Sequence, residues 1–386
     1  MLRILTAGES HGPACIAIIE GMPAGVKLRI EDVNLDLKRR HSDFGRGGRK
    51  LIEEDKAEIL SGIRYGRTLG SPITLMVKNL DFANWRDEMS LEETKKPAPK
   101  ITRPRPGHAD LAGAIKYGQD DIRNISERAS ARETISRVMA GAVLKQMLAE
   151  FAIGIASHTI RIGTVTLARN DYDFEEVAKV FETDPDIRCL DSATAEKMKK
   201  AILDAGARKD TLGGVVEVIA SGVPVGLGSV MHYDRRLDGR IAQALMSIPS
   251  AKAVEIGNAI AGAAMFGSDF QDRISYRDGR FTRNINNSGG IEGGMSNGEN
   301  IVCRVYHKPI STLGEPVETV DIASRKSATA TVERSDICAV PRAGVISEAM
   351  LALVLGEAMI EKFGGDHIAE MKRNFKAYIK SQEKSL

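Results

Sequence analysis

The 386-residue chain has little of what would staple or metallate a fold. Its four cysteines, Cys15, Cys189, Cys303 and Cys338, lie far apart with no CxxC pair. Zinc-ribbon and thioredoxin-like readings therefore have no support. The seven histidines show no HxxxH or comparable local pairing, so no metal site is expected. No stretch reaches the roughly 18 uninterrupted apolar residues of a membrane span. The richest, residues 345–360, contains Glu348 and Glu357 and reads as a buried helix. There is no apolar leader, and dispersed cysteines suit a reducing compartment, so a cytoplasmic protein is expected. The net charge is only +2, which removes any bulk electrostatic reason for a nucleic-acid or anionic-membrane partner. No Walker GxxxxGK[ST] occurs, and GVPVGLGSV has the wrong glycine spacing for a Rossmann fingerprint.

What remains is an ordinary globular composition, 42% hydrophobic and 27% charged, on a chain long enough to bury an ample core. Strand and helix patterns are mixed throughout. Residues 2–6, 73–77, 215–220 and 301–306 read as strands, and residues 31–40, 345–363 and 371–378 as helices. Ser130 and Glu133 have the spacing of a capping box, which predicts a helix from Ser130. Residues 251–267, small and apolar, read as a closely packed helix. Residues 286–300 hold five glycines and read as irregular. No linker divides the chain, so one large α/β domain over residues 1–386 is expected, with a flexible basic tail from about residue 376.

Four turn-like stretches carry cations beside His, Ser or Asp. They are Gly8–Gly12 (GESHG), the loop with Arg39, Arg40, Arg46 and Arg49, the stretch RPRPGHAD with the later ERASARET, and a last region from Gly293 through KPIST to Glu333-Arg334-Ser335-Asp336. Singly, each has a bland reading. Arg39 and Arg40 suit a solvated helix end, and Glu127 and Glu133 could simply neutralise Arg128 and Arg132. Together they form the inventory for a multiply anionic small molecule and a phosphate-bearing cofactor. Prolines stiffen RPRPGHAD, glycines allow close backbone approach, and arginines offer forked donors to carboxylate or phosphate.

These motifs in this order, with GGVVEV, PVETVDIA and RSDICAVPRAGVISEAM, resemble chorismate synthase over nearly the whole chain. The resemblance implies a β-α-β sandwich with central antiparallel sheets and outer helices, and a homotetramer. It implies phosphate loss from 5-enolpyruvylshikimate 3-phosphate by anti-1,4-elimination, giving chorismate with no net redox change but requiring reduced FMN. His11 is then the proton donor to the leaving phosphate, His108 the group near the flavin, and Asp336 the acceptor of the ring proton, directly or relayed through flavin N5. Ser10, Arg40, Arg46, Arg105, Arg132 and Arg334 carry over as substrate contacts. Flavin contacts carry over to Arg128, Ala129, Ser130, Gly293, Lys308, Pro309, Ile310, Ser311, Thr312 and Arg334. Arg40 and Arg46 also carry a nicotinamide-nucleotide contact, with NADPH an indirect reductant. The compact length points to a monofunctional enzyme fed with reduced flavin from outside.

Three positions depart from the family pattern. Pro249-Ser250 replaces Asn-Ala in a flavin-contact stretch, His41 replaces Gln, and His307 replaces Met. Each histidine adds a titrating group nearby. Two rivals stand beside this reading. One is a flavin-independent phosphatase or phosphate-lyase on a small phosphorylated acid, which lacks a metal set or evident nucleophile. The other is an RNA-binding protein using GRGGRK and the basic tail, against which stand the near-neutral charge and the lack of an aromatic-bearing motif.

Overall fold

The computed structural model describes residues 2–45, 55–169, 172–277, 280–333 and 336–385. Alternating apolar side chains build two antiparallel sheets. The first has strands Arg3–Ala7, Ala14–Glu20, Ile73–Lys78 and Ala57–Ser61 in spatial order. Cys15, Ala17, Ile19, Ile73, Leu75 and Val77 point to its buried face. The second runs Ala251–Ile256, Ile301–His307, Gly214–Ser221, Gly154–Ile162 and Val165–Thr166.

The antiparallel sheets and mixed class are as expected, but the layer order differs in one respect. The main helices lie between the sheets. Helix Thr134–Ala149 packs on the first sheet, helix Val340–Phe363 on the second, and the two pack on each other. Both are apolar nearly all round, which only a position covered on both sides satisfies. Gly141 permits the crossing: a Cβ there would stand 2.4 Å from Ala349. Alanine at position 141 would force the helices apart, at a cost of about 1–3 kcal/mol. Among the described residues, Val340–Phe363 is the one helix long and apolar enough to cross a membrane, and it is the buried core helix.

The charges that meet in this middle layer are paired. Glu348, fully buried, accepts from Arg39 Nη2 (2.6 Å), Lys145 Nζ (2.5 Å) and Ser157 Oγ (2.7 Å), joining three helices to the second sheet. Burial alone would raise its carboxyl, but Arg39 and Lys145 outweigh it and hold the carboxyl well below the usual range. Arg39 is therefore an internal strut and not a solvated helix end.

Three local expectations change. Residues 251–267 are not a helix. Residues 251–256 form a strand against Ile301–His307, and a four-residue helix, Ala259–Gly262, follows. Small apolar composition suits either state, and strand pairing decides it. The glycine-rich stretch contains a short hairpin, Ile291–Glu292 with Met295–Ser296. The terminal helix is longer than expected, Ile368–Ser385.

Candidate active site

The turn between the first two strands carries Ser10 and His11. Gly8 takes φ of +111°, and a Cβ there would meet Ala14 O at 2.2 Å, so the tight reversal requires glycine. The Asn79 amide donates to Ser10 O (3.2 Å) and Gly12 O (2.8 Å) and fixes the turn from below. Glu127, on helix Arg123–Ala129, fixes it from the side. Its Oε2 accepts the His11 backbone N–H (2.7 Å), its Oε1 accepts from Nδ1 (2.7 Å), and its carbonyl accepts the Ser10 N–H (3.0 Å). The single tryptophan, Trp85, stacks on His11 with ring centroids 3.8 Å apart, and the Arg123 guanidinium lies 5.5 Å from the Trp85 ring. Glu127 thus pairs with His11 and not with Arg128. Burial would raise its carboxyl, but the His11 hydrogen bonds and charge pull it below its usual range.

RPRPGHAD makes a matching arrangement. Asp110, the first residue of helix Asp110–Tyr117, accepts from His108 Nδ1 (2.5 Å) and from the Arg105 backbone N–H (3.0 Å), Nε (2.8 Å) and Nη2 (3.1 Å). Arg105 Nη1 donates further to Glu333 (2.7 Å) and Thr312 Oγ1 (3.2 Å). Burial acts to raise the Asp110 carboxyl, but His108 and Arg105 overcome it and hold it far below the usual range. Gly107, at φ of +80°, lets this turn lie against Ser311 and Lys308. The stiffness of the loop therefore serves to lock the arginine, the aspartate and the histidine together.

In both pairs the carboxylate is shut in and the imidazole is partly open. The side-chain exposures are 6% for Glu127 and 1% for Asp110, against 18% for His11 and 19% for His108. An ionised carboxylate only accepts, so Nδ1 carries the hydrogen and Nε2 is the ring atom left to act.

Both histidines line one cavity of about 1080 Å³, at the upper end of small-molecule clefts. Ser10, Arg40, Arg105, Ala129, Ser130, Arg132, Pro249, Ser250, Lys308, Ile310, Ser311, Thr312 and Asp336 line it too. Arg128, Pro309 and Gly293 do not. The Arg128 guanidinium donates to Gly8 O and Thr6 O, bracing the first strand. Arg46 and Arg334, with residues 47–50 of the GRGGRK loop, lie outside the described residues. The structure adds Trp85, Arg123, Glu127, Glu333 and Arg342 to the lining.

Two sequence expectations resolve differently here. No capping box forms at Ser130. A 3-10 turn, Ala131–Glu133, intervenes before helix Thr134–Ala149, and Glu133 pairs instead with Arg137 (3.0 Å). Arg40 fills the gap by donating to Thr134 Oγ1 and Ala131 O, each at 3.0 Å. His307 adds no titration near neutrality, because burial pushes it down to about 4. It shares a 3.1 Å hydrogen bond with Ser250, whose φ of +75° is rare outside glycine. The Lys308 N–H, donating to Ser250 O at 2.9 Å, completes that tie.

The donor set on this wall suits a flavin nucleotide. Lys308 Nζ donates to Ser311 Oγ at 2.7 Å, and Thr312, Ser250 and Ser130 line the same cavity, a mixture of ammonium and hydroxyls fit for phosphate and polyol. Ile248, Ile310, Ala339, Ala343 and Ile346 offer apolar surface for a ring. Desolvation, with help from Lys252, pulls the Lys308 ammonium below its usual range, a strain that an anionic ligand relieves.

A cationic cleft with two carboxylate-backed histidines, set on a sandwich of two antiparallel sheets, makes a site for acid–base chemistry on a small anion. The family model for chorismate synthase matches residues 2–360, and the chain belongs to the chorismate synthase family. It is 51% identical over 383 residues to the chorismate synthase of Solibacter usitatus and 52% identical over 379 residues to that of Moorella thermoacetica. Each alignment covers 98% of both chains. It is also similar to a crystal structure of chorismate synthase, with a TM-score of 0.80 at 41% identity, covering 100% of this chain and 99% of the other.

Proposed function

We propose that this chain removes phosphate from 5-enolpyruvylshikimate 3-phosphate to give chorismate, using reduced FMN. The observation that carries this reading is the pair of carboxylate-backed histidines opening on one cation-lined cavity with Asp336 in its wall. The substrate bears two carboxylates and a phosphate, and Arg40, Arg132 and Lys308 supply positive charge around the cavity. Arg46 and Arg334 are assigned to the same clamp by family pattern.

In the reaction a ring C–H bond breaks and its electron pair shifts through the ring double bond. The C–O bond to phosphate breaks, and the ring gains a double bond without net oxidation. Asp336 takes the ring proton. His11 Nε2 gives a proton to the leaving phosphate, which carries away the C–O electron pair. His108 orients the flavin side of the cavity. When bound, the reduced flavin supplies electron density that eases departure of the phosphate. Ile248 and Ile346 exclude water from the apolar side.

The same reading makes the enzyme cytoplasmic, homotetrameric and dependent on an outside source of reduced flavin, with NADPH an indirect reductant. Four buried free thiols support a reducing compartment. Exposed Leu5 and Leu60 at the first sheet support assembly. The test is anaerobic: protein, substrate and chemically reduced FMN, with phosphate and chorismate followed together. Equal yields that require reduced flavin are expected. Phosphate without chorismate would overturn the reading in favour of simple hydrolysis.

A further inference from the structure

We propose that Arg342 is a positioning residue for Asp336, setting its carboxylate at the cavity wall for proton removal; this rests on the elimination proposed above. Arg342 stands in the first turn of helix Val340–Phe363, just after Pro341, and is 6% exposed. Its Nη1 meets Asp336 Oδ2 at 2.7 Å, and its Nε donates to Asp43 Oδ2 at 2.9 Å. The two carboxylates differ in situation. Asp43 is closed off behind the wall, with no side-chain exposure, whereas Asp336 is 24% exposed and lines the cavity.

Arg342 is thus anchored from behind and reaches forward. The backbone beside Asp336 is already pinned, because Ile337 N donates to Gly45 O (2.8 Å) and Ile337 O accepts from Leu212 N (2.9 Å). Beyond that backbone restraint, the Arg342 guanidinium holds the Asp336 side chain at its Oδ2. The two bonds leave from different atoms of one rigid plane, a geometry that an ammonium on a flexible stem cannot reproduce. A guanidinium this deep stays only while its carboxylates hold it, since removing a partner leaves an uncompensated buried charge. Burial acts against the charge, and Asp336 and then Asp43 outweigh it.

The test is a double-mutant cycle on steady-state turnover with reduced FMN and 5-enolpyruvylshikimate 3-phosphate. It compares wild type, Arg342→Lys, Asp336→Asn and the double variant. Arg342→Lys is expected to lose about 100-fold in kcat, with KM moved by less than about threefold, the signature of a misplaced group. On the Asp336→Asn background the same substitution is expected to cost less than about twofold, because its effect passes through the missing carboxylate. Equal losses in both backgrounds would mean a purely structural arginine and would overturn the proposal, as would unchanged turnover in Arg342→Lys. If Arg342→Lys does not fold, Asp43→Asn releases the anchor while leaving the cavity lining intact and goes through the same cycle, with the same two outcomes. Wild type that releases no phosphate would overturn the elimination itself, a result read before any variant is made.

Discussion

His11 and His108 each give Nδ1 to a buried carboxylate, yet the two carboxylates are committed differently. Glu127 spends both oxygens on His11, one on its ring and one on its backbone. Asp110 divides its oxygens between His108 and three N–H groups of Arg105. A carboxylate serving one imidazole lends that ring its negative charge. A carboxylate shared with a guanidinium is largely neutralised and acts mainly as a bracket. The first arrangement suits a histidine that must hold and release a proton, the second a histidine that must stay still. The braces differ as well. The His11 turn is held by Asn79 and Glu127 with an indole stacked on the ring, while His108 sits in a loop braced by Arg105 to Glu333 and Thr312.

The sharpest break in this comparison is His11→Ala, with an expected loss of about 1,000-fold in turnover, typical of a missing general acid. An unchanged rate would remove His11 from the chemistry. Glu127→Gln keeps the size but lends no charge, and about 100-fold is expected to be lost from kcat. Asp110→Asn is expected to cost less, about tenfold, because Arg105 remains to orient the loop. Equal losses in the two carboxamide variants would erase the distinction between proton holder and bracket.

The smallest effect is on stability. Both carboxyls are lowered in the folded state, Asp110 the further, so each contributes stability above its unfolded pKa of about 4. That contribution is lost as pH falls from there toward the folded value. Acid unfolding curves should therefore flatten below about pH 4 in both variants, more in Asp110→Asn than in Glu127→Gln. The reverse order would mean that Glu127 holds the stronger ion pair.

Much of the fold was legible because period and composition agreed. Ile73–Lys78, Gly214–Ser221 and Ile301–His307 alternate or run apolar as strands, and residues 345–363 are too apolar and too long for anything but a core helix. The Ser130 boundary was misleading because Arg40, ninety residues away in sequence, satisfies Thr134 and Ala131 in place of a local cap. In the site, the histidines stood out by their turns, but their partners did not stand out equally. Asp110 lies two residues from His108 inside one motif. Glu127 lies 116 residues from His11 and beside Arg128, where neutralisation was the natural reading. Arg342 sits in an apolar run and gives no local sign that it reaches Asp336. Long-range pairing of charges is a property of the packed layers, and no spacing in the chain encodes it.

The stack of Trp85 on His11 has an optical consequence. The chain has one tryptophan, and that indole forms part of the cavity lining. Light absorbed at the red edge of protein absorption therefore excites one fluorophore per chain, already resting against the imidazole assigned to proton transfer. A flavin arriving nearby absorbs where indole emits, and a change in the charge of His11 alters the partner that the excited ring faces. Each chain thus carries an unlabelled reporter at the place where its chemistry is proposed to occur.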